Sequence, residues 1–218
     1  EETQVFLDNP WRRYVAGEHR AISAKAKRGA LLFFKPAAEG GADCVACHKG
    51  SMFTDERFHV LAIPHAGITG KDAQGDDPGR FFRTGIFDDR YAFRTPSLWN
   101  VTETAPYGHS GTMPTLEAVI RHHLDPEHSN ANFSYEALES IQAGLKHPRA
   151  EEFNARAREH FRKQREQGKS LLPQIRLTDA EIGALVAFLE TLTDPCVKDQ
   201  QCLRQWVPIN PDVNPGNS

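Results

Sequence analysis

A mainly α-helical domain threaded by long ordered loops is the fold class that three features of the sequence predict. One is a pair of well-signed helices, opening after Ser23 and after Thr178. Another is the stretch from Lys49 to Arg94, rich in Gly, Asp, Pro and aromatic residues and without a sustained period of either kind. The third is the pentapeptide Cys44-Val45-Ala46-Cys47-His48.

That pentapeptide has C-x-x-C-H spacing, at which two thiols add to the two vinyl groups of one haem while the next His meets its iron. Zinc would want four N or S ligands, usually with a second Cys/His pair at related spacing. The other cysteines, Cys196 and Cys202, are distant in the chain and six residues apart. The expectation is one covalently attached haem c, held by Cys44 and Cys47, with His48 as proximal ligand.

Composition bounds the rest. At 218 residues, 39% hydrophobic and 25% charged, the chain is an ordinary globular one. Its formal charge of -3 argues against a general nucleic-acid binder. No apolar run approaches the roughly 18 residues of a membrane span. The start, Glu1-Glu2-Thr3-Gln4, has no basic and apolar leader, as in a mature or truncated chain. Cys196 and Cys202 close a short loop and are expected to form a disulfide. That bond and thioether-bound haem both point to the periplasm or cell exterior.

In chain order, residues 1–22 read as an arm that packs across the domain and ends in a short helix. Ser23 caps a helix over 24–34 in which Ala26, Gly29 or Ala30, and Phe33 share a face small enough for another helix to cross closely. Residues 36–43 form a Gly-containing loop leading to the haem motif. The long loop from Lys49 to Arg94 is of a size that usually carries a function. Covering the cofactor would suffice, with its aromatic residues walling the porphyrin and Arg80 and Arg94 meeting the propionates bidentately. Thr115 caps a helix running to about Leu124, with Glu117 in its first turn. Residues 127–176 read as a solvated helical hairpin inserted in the domain, with i,i+4 pairs Glu152/Arg156 and Glu159/Lys163 beside a thin apolar stripe of Phe153, Ala157 and Phe161. Thr178 and Glu181 form a capping box for the last helix, the natural partner of helix 24–34. The domain therefore runs over 23–194, and a disulfide loop with an extended tail follows at 195–218.

The sixth iron ligand is sought on the helix after Thr115. At about 100° per residue, Leu116, Val119, Ile120 and His123 share an arc, whereas His122 lies about 120° from its centre. His123 thus points with the apolar stripe, towards an iron in need of a partner. Met113 is the rival ligand and His109 a third candidate.

The segments CVACH, FTDERFH, GRFFRTG, FRTPSLWNVTETAPYGHSG, TLEAVIRHH and LTDAEIGALVAFLETLTD resemble the C-terminal haem domain of bacterial di-haem cytochrome c peroxidases and their MauG-type relatives. The likeness covers about Asn9 to Asp194, with 127–176 as an insertion. It implies a c-type cytochrome fold that passes electrons to a second haem in another domain, where peroxide is reduced. In that family the sixth ligand, Met or Tyr, occupies the position of His123. The family also implies a calcium ion on the backbone oxygens of Thr104 and Pro106, with a third protein ligand from the other domain. Its peroxide-site residues belong to that other domain, so none is carried over.

The expected function is therefore the electron-transfer half of a peroxidase-type oxidoreductase. It would relay electrons between a redox donor, a small cytochrome or copper protein, and a peroxidatic haem on another domain or subunit. The alternatives are a peroxidase or oxidase acting at this haem itself, with His109 or His123 as acid/base, and a free-standing mono-haem cytochrome. A subunit that uses the haem mainly to fold around is a third class.

Overall fold

The computed structural model describes residues 6–66, 72, 74–136, 144 and 146–204. Its helices are α1 (Pro10–Val15), α2 (Ala24–Phe34), α3 (Phe81–Thr84), α4 (Leu116–Leu124), α5 (Pro126–Ala131), α6 (Ala150–Glu166), α7 (Asp179–Glu190) and α8 (Gln200–Arg204). Two short strands, β1 (Phe58–Val60) and β2 (Ala92–Arg94), pair antiparallel with Phe58 opposite Arg94 and Val60 opposite Ala92.

Everything is hung on the crossing of α2 and α7. Ser23 caps α2, its Oγ accepting from the Ala26 N–H at 3.1 Å. The helix buries Ala26, Gly29, Ala30 and Phe33. Thr178 and Glu181 cap each other's backbone at the start of α7, at 3.3 and 2.7 Å. That helix buries Ile182, Ala184, Leu185, Phe188 and Leu189. Gly29 is what permits the crossing, since a Cβ there would stand 1.9 Å from the Ala184 carbonyl oxygen. The core between the two helices takes in Phe53, Val101 and Leu192 from the loops.

The N-terminal arm closes across this pair. Asn9 caps α1, and Trp11 stacks on Phe34 at 5.7 Å and meets Phe188 edge-on at 5.0 Å. Its backbone N–H donates to Thr191 O at 3.1 Å, and Asp8 N–H to the Asp194 carboxylate at 2.7 Å. At the other end Cys196 and Cys202 are bonded, between α7 and the last turn of the described chain. The extended tail expected from Trp206 onward lies outside the described residues.

Two expectations need correction. The loop over 49–94 contains the β1/β2 ladder, whose three-residue strands are too short for a period-2 pattern to show. More consequentially, 150–166 is not a solvated arm. α6 buries Phe153, Asn154, Ala157, His160, Phe161 and Gln164. The polar members of that face are covered because the loops supply partners: Asn154 Oδ1 accepts from His65 N–H at 2.6 Å, and Gln164 Nε2 donates to Asp88 O at 3.3 Å. The surface pairs Glu152/Arg156 and Glu159/Lys163 do form on the opposite side. α6 is thus a wall of a second, smaller core, and part of the hairpin's other arm lies outside the described residues.

Candidate haem centre

The pentapeptide sits in a tight turn packed against α2. Asp43, in the left-handed region at φ 52°, swings the chain into a 3-10 turn over Cys44–Ala46, and His48 N–H donates to Cys44 O at 2.9 Å. Asp tolerates that conformation better than most residues. Both thiols are half-buried and free of any disulfide. Burial pushes Cys44 up to about 12, and burial with the charge of Asp55 pushes Cys47 up to about 11. Both are protonated thiols at neutral pH, which disfavours a thiolate metal site.

His48 is oriented through its Nδ1, which donates to Phe53 O at 3.1 Å. Phe53 itself lies in the left-handed region at φ 51°, costly for a bulky residue and maintained by the packing of its ring on Trp99 and Phe33 at 5.0 and 5.8 Å. Strain is therefore located where a carbonyl must be turned to one imidazole. His123 repeats the device, its Nδ1 donating to Val119 O at 2.8 Å. Fixing the proton on Nδ1 leaves Nε2 with its lone pair, the tautomer a metal requires. Burial, the neighbouring His123 and His59 bring His48 down to about 4 even against the pull of Asp55, and burial lowers His123 as well. The two imidazoles are thus neutral, close enough to oppose each other's charge, and set with the same nitrogen available. Two thiols at vinyl spacing and two such imidazoles fit a c-type haem.

His122 has a different fate. It is wholly buried rather than turned to solvent, with Nε2 donating to Leu61 O at 2.8 Å and Nδ1 accepting from the Ser129 hydroxyl at 3.0 Å. Burial and His123 bring it down to about 3. Both nitrogens are consumed, so His122 locks α4 to α5 and to the 61–66 loop. The helical arc gave its direction correctly, but that direction leads into a second packed face.

The remaining candidates stand as follows. Met113 is buried and exchanges both backbone hydrogen bonds with Tyr107, at 2.7 and 3.0 Å. His109 bonds Asp77 at 2.8 Å and stacks on Phe93 at 3.9 Å. Arg80 lies over the Phe58 ring at 4.3 Å and pairs with Asp89 at 3.2 Å, while Arg94 is exposed on β2 across from Phe58. Thr104 donates its hydroxyl to Val101 O at 3.0 Å, and both Thr104 and Pro106 are exposed. A pair not foreseen is Asp55 with His59, bonded at 2.9 Å and grouped with Cys47 so that their ligand atoms lie within 4.8 Å of one another. Burial works against the Asp55 charge, but hydrogen bonds from His59, the Arg57 N–H and Thr95 prevail and hold it down at about 2. The i,i+4 spacing of the two residues was the one signal available in the sequence.

Fold and site together define a c-type cytochrome domain, mainly α-helical. No protein-family model matches the chain. Among individual proteins, it is a relative of MauG and the di-haem cytochrome c peroxidases. It is 35% identical over 136 residues to the methylamine utilization protein MauG of Methylorubrum extorquens, covering 62% of this chain and 35% of the relative. It is 34% identical over 133 residues to cytochrome-c peroxidase IdrP1 of Denitromonas iodatirespirans, covering 51% and 34%. A solved MauG-like protein associated with microbial copper homeostasis superposes with a TM-score of 0.61 at 27% identity, covering 90% of this chain and 51% of its own. The chain thus spans about a third of the length of the curated relatives it matches. Among the described residues, no helix is long and apolar enough to cross a membrane.

Proposed function

We propose that the chain is the electron-transfer haem domain of a di-haem peroxidase-like system, relaying single electrons between a redox protein donor and a peroxidatic haem on another domain or subunit. One haem c would be attached at Cys44 and Cys47 and its iron held by His48 and His123. The observation that carries this is the matched pair of neutral imidazoles, each anchored through Nδ1 to a main-chain carbonyl. Bound there, haem supplies reversible one-electron chemistry. The chain's own residues do the rest: the Phe53 and Val119 carbonyls hold the ligand nitrogens in place, the α2/α7 core excludes water, and two nitrogen ligands leave no position for peroxide. Arg80 and Arg94, both beside Phe58, would serve the propionates. A calcium ion at the Thr104 and Pro106 carbonyls would need a further ligand from another domain. The Cys196–Cys202 bond supports an oxidising location, periplasmic or secreted.

The test is the absorption spectrum and potential of the haem-loaded protein with His123 replaced. Wild type is expected low-spin, His123→Ala high-spin, and His123→Met low-spin again with a raised potential, because a thioether ligand raises it. An unchanged low-spin spectrum in His123→Ala would refute the axial pair. A high-spin wild type that turns over peroxide would favour an enzyme acting at this haem, with the His109–Asp77 pair as its acid/base.

A further inference from the structure

Tyr91 is 2% exposed and lies in the left-handed region at φ 58°, where a bulky residue is a genuine outlier. Main-chain bonds on either side maintain the strain: Tyr91 N–H donates to Pro78 O at 2.9 Å, and Ala92 O accepts from Arg80 N–H at 3.0 Å. In this conformation the phenol donates to Asp76 Oδ2 at 2.7 Å, and Asp76 is itself 0% exposed. Strain held at a buried polar contact is a pointer to function.

Asp76 carries a second anomaly. Its Oδ2 also accepts from Arg90 at 2.9 Å, with Arg156 3.8 Å away, while its Oδ1 is buried with no partner among the described residues. His65 Nδ1 is likewise buried and unpartnered there, and the His65 ring stands edge-on to that of Tyr91 at 5.6 Å. An open buried carboxylate oxygen costs stability, and room for a proton is a reason to keep one. The surroundings penalise charge on the phenol in either sense. Burial, and after it the bond to Asp76, push the phenol up to about 12, so it does not ionise at neutral pH. Arg90 lies over the same ring at 5.1 Å and opposes a positive charge there. Only joint loss of an electron and a proton leaves the ring neutral.

Tyr91 is also joined to the haem loop. Ala92, next in the chain, lines one cavity with Cys47. Along β2, Ala92 pairs with Val60 and Phe93 with His59, whose ligand atom lies with that of Asp55 within 4.8 Å of Cys47 Sγ.

We propose that Tyr91 is a one-electron redox site of this domain, with Asp76 as its proton acceptor. The proposal rests on the haem reading above and adds a residue that stores an oxidising equivalent. Peroxide takes two electrons and a redox protein donor gives one at a time, so one equivalent has to wait. In the storing step the phenolic O–H bond of Tyr91 breaks. Its electron passes to a haem that peroxide has oxidised by one electron, and its proton passes to Asp76 Oδ2. Tyr91 is left a neutral radical and Asp76 a carboxylic acid; a donor electron and the same proton restore both.

The experiment adds hydrogen peroxide to the haem-loaded full-length protein, follows the haem by stopped flow and reads freeze-quenched samples by electron paramagnetic resonance. Ring-deuterated tyrosine identifies a tyrosyl signal by its narrowed hyperfine pattern. Wild type is expected to give that signal, Tyr91→Phe to lose it, and Tyr14→Phe, Tyr107→Phe and Tyr135→Phe to keep it. Phe retains the ring beside His65, and a purely structural Tyr91 would lower stability in that variant without touching the radical. Asp76→Asn leaves the phenol an acceptor but no base, and should slow radical formation roughly a hundredfold. Should that variant not fold, wild type is compared in H2O and D2O: slower formation in D2O supports the coupled proton, and equal rates overturn it. A peroxide-oxidised haem with no tyrosyl signal, or a signal undiminished in Tyr91→Phe, would overturn the proposal. A haem indifferent to peroxide would instead strike the peroxidase-type reading. A ruthenium(III) photo-oxidant, which needs no haem, then judges Tyr91 alone: a tyrosyl signal lost in Tyr91→Phe upholds the redox site, and one that persists, or none at all, overturns it.

Discussion

Gly29→Ala should destabilise the protein, although the same change on an exposed helix stabilises it. In a helix interior Ala is favoured over Gly by about 1 kcal/mol. Here the new methyl would stand 1.9 Å from Ala184 O, 2.5 Å from its carbonyl carbon and 2.9 Å from Phe188 Cβ. Ordinary contact begins near 3.4 Å, so α2 and α7 would have to part by about 1.5 Å along that line. Overpacking of this kind costs about 1–3 kcal/mol. The parting also opens the seam holding Phe33, Leu185 and Phe188, all at most 2% exposed, where even a gap of about 1 Å forfeits a quarter to a half of each dispersion contact. The expected net loss is about 3 kcal/mol, a large part of a typical 5–15 kcal/mol total. Urea unfolding of the haem-loaded protein measures it as a lowered midpoint with an unchanged slope. Gly183→Ala on α7 is the control, because its methyl would meet only the flexible end of Lys25, at 3.3 Å, and it should be neutral or stabilising. A Gly29→Ala protein as stable as wild type would refute the close crossing.

Two further outcomes are expected. Asn154→Ala strands the buried His65 N–H that Asn154 Oδ1 accepts at 2.6 Å, and should cost about 2–3 kcal/mol in the same unfolding assay; a loss well under about 1 kcal/mol would show that water substitutes there. His122 brings a pH dependence: its folded value of about 3 lies below the ordinary 6.5, so the unfolded chain takes up the proton first as pH falls. Its share of stability is complete above about pH 6.5 and is lost progressively on acidification towards pH 3, at up to about 1.4 kcal/mol per unit. Between pH 7 and 5, wild type should therefore lose about 2 kcal/mol more than His122→Gln; parallel losses would mean that His122 is not held neutral.

The sequence announced those elements whose signals are local. Caps at Ser23, Thr115 and Thr178 mark helix starts because a side-chain oxygen must meet an N–H two or three residues on. The small face of α2 foretold its partner because only a Gly-bearing face admits a backbone so closely. What stayed hidden depends on residues far apart in the chain. The polar face of α6 is buried only because His65 and Asp88 arrive with hydrogen bonds, so a pattern of apolar positions undercounts it. The β1/β2 ladder joins residues more than thirty positions apart through strands too short to show a period. The two adjacent His of α4 make the limit plainest. Angular position separates them and gave each its direction, but both directions lead inward, because α4 packs on α7 with one face and on α5 and the 61–66 loop with another. Direction alone thus could not say which imidazole is free to bind iron. Hydrogen bonding does: His122 spends both nitrogens on Leu61 and Ser129, whereas His123 spends Nδ1 alone, as His48 does. The proposed axial pair rests on which nitrogens the protein leaves to a metal.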